Sequence, residues 1–330
     1  MRILVLGGTV FLGRAVARQA LEAGHDVVCA ARGESGQPVD GVEFVKVDRD
    51  QSDGLAGLRG SFDAVVDVAR HPRHVRYAVD ELAGRVGHYT LVSSCSAYAD
   101  DATPGQRADT APLLAADFEA DPWADAEAYG RCKVACEELA AAGFGAERTF
   151  LLRAGMIVGP EDPTYRFEYW VRRAERGGEV LAPGGPDEAV QLVDVRDLAG
   201  WIIAAAGDGL AGAYDGIGAP MTRAEFHAGL TEGVGVRAEL TWVAQDFLLE
   251  HGVAPWSGPR SLPFWLPLPE YDGFMSRDVR PSVEAGLATR PLAATVRATL
   301  EAIRDASHID PKNGLGIDEE AQLLREWHER

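Results

Sequence analysis

The sequence predicts an α/β fold: a doubly wound parallel sheet followed by a smaller, mixed α/β C-terminal lobe. Three observations carry this expectation. Up to about residue 160, short and nearly continuous apolar runs alternate with helical patterns, as strands covered on both faces require. A glycine-rich turn joins the first run to the first helix. Beyond residue 160 Pro and Gly become frequent and aromatics cluster, a different texture. We therefore expect a first unit at 1–160, with 191–205 returning to it, and a smaller substrate-binding lobe at 161–330.

The elements follow in order. Residues 2–6 form the first run, and Leu12, Val16 and Ala20, with Ala17 and Leu21, then recur at helical spacing until Gly24 stops the helix. Further strand-like runs occupy residues 25–30, 42–47, 64–68, 89–93 and 149–153. A run at 191–195 leads into a helical segment from Asp197 and suggests a brief return to the sheet domain. Aromatic clusters at Tyr165, Phe167, Tyr169 and Trp170, and at Trp256, Phe264, Trp265 and Tyr271, belong to the second lobe. They suit an apolar or ring-containing small molecule, since the lobe would lie over the strands' carboxyl ends. Phe274, Met275 and Trp327 read as core or interface.

Composition bounds the function. A chain of 330 residues buries a core without disulfides, and 46% hydrophobic with 25% charged residues is ordinary globular composition. Cys29, Cys95, Cys132 and Cys136 show no CxxC spacing and read as reduced, buried thiols. MRILVLGG starts a strand at once and leaves no room for a signal peptide. No apolar run reaches the ~20 residues of a membrane span. The expectation is a soluble, cytoplasmic protein without membrane partners, either monomer or homodimer. A net charge of −19, from 51 acids against 32 bases, repels phosphate backbones and speaks against a nucleic-acid partner. His71 and His74 flank Pro72 and Arg73 without a nearby Cys, and no metal site is expected.

Gly7-Gly8-Thr9-Val10-Phe11-Leu12-Gly13 lies between a strand and a helix, the context in which glycines serve a phosphate. Gly7 permits the tight turn, Gly13 permits close packing, and the helix N-terminus faces a pyrophosphate. This opening resembles the extended short-chain dehydrogenase/reductases, the NAD(P)-dependent epimerase/dehydratase superfamily, with its Rossmann-like sheet. The usual TGGxGxxG departs here at Leu6 and Val10, which is similar to an atypical branch opening GGTxFLG, mostly reductases. The resemblance implies cofactor contacts from Gly7, Thr9, Val10, Phe11, Leu12 and Gly13. It implies others from Asp48 and Arg49 after the third strand, from Val68, Ala69 and Arg70 after the fourth, and from Gly155 after the sixth. Dinucleotide-binding units for NAD place an acid at the end of the second strand. Ala31 stands there, followed by Arg32, so NADP(H) is expected over NAD(H), with Arg32 on the 2′-phosphate.

Tyr129 and Lys133 lie four apart in helical sequence and so share one face. Eight tyrosines and three lysines in 330 positions predict on the order of 0.07 such pairs by chance. A phenol with an ordinary pKa near 10 needs a neighbouring cation to exchange protons near pH 7. In the resembled family Tyr-xxx-Lys works with a hydroxyl at the end of the fifth strand, which aligns with Ser94, Ser96 being the fallback. The expected catalytic residues are therefore Ser94, Tyr129 and Lys133, with Lys133 also holding the nicotinamide ribose.

Two absences narrow the reaction that the resemblance implies. The Asp-Glu pair of its dehydratases is replaced by Cys95 and Ser96. The Asn by which its epimerases bind a sugar nucleotide is replaced by Met156. What remains is net hydride transfer to or from a carbonyl or alcohol of a small molecule. A nucleotide-sugar epimerase, or a non-catalytic nucleotide- or RNA-binding protein of the same fold, is the alternative.

Overall fold

The computed structural model describes residues 1–304 and 313–330. Strand β1 (Arg2–Leu6) begins the chain, and α1 (Phe11–Glu22), β2 (Asp26–Ala31), β3 (Glu43–Lys46) and β4 (Phe62–Asp67) follow. Next come α2 (Pro72–Leu82), β5 (Val86–Ser94), α3 (Ala126–Phe144) and β6 (Thr149–Ala154). These strands lie side by side in the order β6, β5, β4, β1, β2, β3, every pairing parallel. A seventh strand, Gly212–Gly216, adds parallel to the outer edge of β6.

Alternation along β1 shows why its sequence is apolar from Ile3 to Leu6. Ile3 and Val5 face a core shared with Leu12, Val16 and Ala20 of α1, while Leu4 and Leu6 face Val75, Ala78 and Leu82 of α2. Helix α3 joins α2 on that second face through Cys136, Ala140 and Phe144. Helices α4 (Arg166–Arg176) and α5 (Val195–Asp208) come next in the chain. Leu198, Ile202 and Ala205 of α5 pack on the α1 face of the sheet. Gly24, at φ +80°, ends the approach to β2 as its position suggests.

In the run 191–195 only Val193–Asp194 is extended; it pairs with Ile157–Val158, while Val193 and Val195 pack into the core on the α1 face of the sheet. Val195 already opens α5, with Asp194 as its cap accepting from the Arg196 N–H. The aromatic clusters are mostly core rather than pocket lining: Phe167, Trp170, Phe264 and Trp265 are buried with Phe226 of helix α6 (Arg223–Val234) in a separate hydrophobic core.

That core also buries His227. Among the described residues its Nε2 has no partner, and its ring sits edge-on to Trp170 beside a small pocket lined by Leu230 and Leu240. Burial pushes its pKa down to about 3. An unfolded histidine titrates near 6.5. Below that pH the unfolded chain binds a proton that the folded chain refuses, so acid favours unfolding. The folded state is undisturbed by His227 above about pH 6.5 and loses up to ~1.4 kcal/mol per pH unit below it. His88, also pushed down by burial, acts with the same sign. Urea midpoints measured from pH 7 to pH 5 should therefore fall for the wild type and fall less for His227→Phe. Identical slopes would exclude His227 as a source of the acid sensitivity.

Candidate functional site

The glycine turn after β1 is flanked by β2 and the end of β4: the Gly7 N–H donates to the Ala30 carbonyl and the Val68 N–H to the Leu6 carbonyl. Gly7 has φ +99°, and a Cβ there would lie 2.5 Å from Val68 Cγ2, so only glycine lets the turn pass the end of β4. A Cβ on Gly13 would lie 2.4 Å from the Gly7 carbonyl oxygen, which brings α1 down onto the turn. Thr9 and Leu12 are buried, while Val10 takes extended φ −135° with its side chain 36% exposed. No glycine is needed for that backbone. Phe11, at φ +36°, holds a left-handed conformation of the kind that costs about 1–3 kcal/mol and clusters at functional sites.

Helices α2, α3, α5 and α6 have side-chain caps from His71, Asp125, Asp194 and Thr222. Helix α1 has none. Its first N–H groups thus remain open to an external acceptor, and with the two close glycine approaches they fit a pyrophosphate.

Along the rim, Arg32 is half-exposed just beyond β2 and reaches Asp50 at 3.5 Å. Asp48 accepts from the Asp50 N–H at 3.0 Å within a tight turn. The Arg49 side chain turns inward. Its guanidinium makes two 2.6 Å bonds to Asp67, which is fully buried at the end of β4 and also accepts from the Tyr89 hydroxyl. Burial pushes the Asp67 carboxyl up, but Arg49 and these hydrogen bonds more than offset that and hold it below the usual carboxylate range. The Asp67 carboxylate also accepts from the buried Ala69 N–H, fixing the chain beside the groove. Arg70 is exposed, its guanidinium 4.8 Å from the ring centroid of Trp123, itself 69% exposed.

The three serines at the end of β5 have three different surroundings. Ser93 is buried and donates to Glu137 at 2.5 Å. Ser94, the last residue of β5, accepts from the Ser96 N–H at 3.1 Å and keeps its own O–H free to donate. Ser96 sits in the short helical turn that follows. Helix α3 crosses this turn through Gly130, where a Cβ would lie 2.1 Å from the Ser96 carbonyl oxygen. That approach seats Tyr129, in the first turn of α3, next to the end of β5. Lys133 follows one turn later, its Nζ 5.7 Å from the Tyr129 ring centroid. The ammonium is buried and donates to the carbonyls of Ala69 (2.5 Å) and Val92 (2.7 Å). Those bonds use two of its three donors.

Beneath this surface lies a buried polar network that the sequence did not signal. Arg153 pairs with Glu137 at 2.7 Å and also donates to the Ala108 carbonyl. Asp215, on the seventh strand, accepts from the Tyr98 hydroxyl at 2.6 Å and from Arg277 at 3.0 Å. The Arg277 guanidinium lies 3.4 Å from the Tyr98 ring centroid. Residues from β5, β6, the seventh strand and the later chain thereby brace the turn that presents Ser94. Cys29, Cys95, Cys132 and Cys136 are all free and buried.

This strand, glycine turn and helix, with Tyr129 and Lys133 beyond, coincide with a family model described as NAD dependent epimerase/dehydratase, which matches residues 3–214. The chain belongs to the NAD-dependent epimerase/dehydratase family. A curated relative, 2′-dehydrokanamycin reductase from Streptomyces kanamyceticus, is 30% identical over 163 residues, 48% of this chain and 43% of that protein. The match therefore spans less than half of that relative's length. Among solved structures, UDP-N-acetylglucosamine 4-epimerase from Bacillus cereus superposes with a TM-score of 0.68 at 18% identity, covering 94% of this chain and 99% of that one. UDP-glucose 4-epimerase from Thermus thermophilus, in complex with NAD, gives 0.62 at 20% identity, covering 93% and 100%. At these identities the likeness is one of fold.

Membership in the epimerase/dehydratase family makes the positions after β6 informative. Met156 is buried in the second hydrophobic core. Gly155 meets Ile217 so closely that a Cβ would lie 2.2 Å from Ile217 Cδ1, which accounts for the glycine by packing. Among the described residues, no helix is long and apolar enough to cross a membrane.

Proposed function

We propose that this chain is an NADP(H)-dependent oxidoreductase that moves a hydride to or from a carbonyl or alcohol of a small molecule. The observation that carries the reading is the α3 face on which Tyr129 and Lys133 lie one turn apart, seated by Gly130 against the turn after Ser94. A bound nicotinamide supplies or accepts the hydride. The turn from Gly7 to Gly13 and the uncapped start of α1 would hold the pyrophosphate. Asp48 would border the adenine, while Val68, Ala69 and Arg70 would border the ribose side. The third N–H of Lys133 would reach the nicotinamide ribose. Tyr129 would give or take the proton at the substrate oxygen, with the Ser94 hydroxyl donating to that same oxygen.

Net redox chemistry is favoured over epimerisation by the buried Met156, which has no polar group to offer a sugar nucleotide. Cys95 stands where elimination chemistry uses an acid, and its thiol lies 3.4 Å from the Arg153 carbonyl inside the protein. The reductase name of the curated relative agrees with this reading.

Preference for the phosphorylated cofactor rests on Ala31 and Arg32 at the end of β2. NADPH should bind more tightly than NADH by about 1–3 kcal/mol, the worth of a charge-assisted hydrogen bond. Ala31→Asp should reverse that order by repelling the phosphate and accepting from a free 2′-hydroxyl. Fluorescence titration of both cofactors decides it, and equal affinities in the wild type would refute the preference.

A further inference from the structure

The basic stretch that opens α2 is not used by the site described so far. Arg73 Nη2 donates to Asp50 Oδ1 at 3.1 Å, and His74 Nε2 contacts the same oxygen at 2.9 Å. Arg32 approaches the other oxygen, Oδ2, at 3.5 Å. Three cationic or protonatable groups from two segments of chain thus converge on one carboxylate beyond the end of β2. This is where dinucleotide-binding units of this kind meet the adenosine ribose. The hydrogen bond from His74 holds the Asp50 carboxyl below its usual range, so it stays ionised.

The cluster is also set in place from below. The His74 carbonyl accepts from Arg49, whose other bonds fix it to buried Asp67, and the His71 ring accepts from the Arg73 N–H as the cap of α2. The upper side is open: the Asp50 side chain is 40% exposed and that of Arg73 45%. Exposed ion pairs of this sort are weak and easily exchanged. A phosphate monoester, with nearly two charges and three acceptor oxygens, is a better partner for the same donors than a single carboxylate.

We propose that Asp50 is an internal stand-in for the cofactor's 2′-phosphate, and that Arg73 and His74 are specificity-determining residues beside Arg32. Asp50 keeps Arg32, Arg73 and the His74 ring together before binding and gives way when the phosphate arrives. This inference rests on the NADP(H) reading above and adds to it a second wall and a displaceable carboxylate. It also assigns a role to His71, which orients Arg73 by capping its helix.

Isothermal titration calorimetry with NADP⁺ and NAD⁺, which differ only by the 2′-phosphate, tests it without turnover. Arg73→Ala should weaken NADP⁺ about tenfold and leave NAD⁺ unchanged, the loss expected for one charge-assisted contact. Asp50→Asn should strengthen NADP⁺ several-fold, again without effect on NAD⁺. Equal effects of either variant on both cofactors, or none on NADP⁺, would overturn the proposal. If Arg32→Ala abolishes a preference that Arg73→Ala and Asp50→Asn leave intact, this inference alone fails. If neither the wild type nor any of these variants distinguishes the two cofactors, the NADP(H) reading fails with it.

Discussion

Tyr129→Phe should lose turnover by a factor on the order of 10²–10⁴, the usual weight of one proton-transfer group, while binding cofactor nearly normally. The substitution removes one oxygen from a partly exposed side chain in the first turn of α3 and leaves the ring over Lys133. Folding should be untouched, which makes this the cleanest test of the chemistry. Lys133→Met is less clean than its spacing suggests. Its ammonium donates to the Ala69 and Val92 carbonyls in the protein interior, so its loss strands two buried acceptors. The serines provide the companion measurement. Ser94→Ala should reduce turnover with little change in cofactor affinity, and Ser96→Ala should do much less. A crippled Ser96→Ala beside a healthy Ser94→Ala would shift the catalytic hydroxyl by two positions. Full activity in Tyr129→Phe would exclude the mechanism.

Gly130→Ala should be nearly as damaging, through position rather than chemistry. Alanine in a helix interior ordinarily gains up to about 1 kcal/mol over glycine. Here its Cβ would meet the Ser96 backbone oxygen at 2.1 Å and Leu114 Cδ1 at 2.7 Å. A backbone oxygen cannot swing aside, so α3 must move away by on the order of 1 Å, and overpacking of this kind costs about 1–3 kcal/mol. A displacement of that size at a reacting group can cost about 10²-fold in rate. The expected result is a lower melting temperature together with roughly hundredfold lower turnover. Gly207→Ala is the control: that glycine lies in α5 with only Met1 Cε near its absent Cβ, at 3.7 Å. It should be neutral or stabilising. A Gly130→Ala enzyme as stable and active as the control would show that the crossing over Ser96 is not what seats Tyr129.

Six strands of the sheet were legible from their apolar runs, which are densest where a strand is buried on both faces, as in β1 and β2, and shortest in the partly exposed edge strand β3. The seventh was not. Gly212–Gly216 reads as a turn, with two glycines and an aspartate, and it is extended only because β6 offers it a free edge. Asp215 escaped notice with it. Tyr129 and Lys133 were legible because their relation is local, four residues along one helix. Gly130 against Ser96, Arg277 on Asp215 and Arg49 on Asp67 depend on chain segments that meet only after folding. No local spacing encodes those contacts. The aromatic residues stayed ambiguous for a related reason: their clustering gives mass to a second core, and sequence alone does not distinguish a ring that packs from a ring that recognises.

The four cysteines have a practical consequence. Burial pushes the Cys29 thiol up to about 11 and the Cys136 thiol up to about 12, and Cys95 and Cys132 are raised as well. Only the thiolate attacks a maleimide or a disulfide reagent. Near neutral pH the folded chain should therefore be almost inert to such probes, and the unfolded chain should take up four labels. A single cysteine placed at an exposed position such as Val283, 54% accessible, can accordingly carry a fluorophore in the otherwise native sequence. The native thiols meanwhile serve as silent reporters, becoming modifiable only as the sheet around them opens.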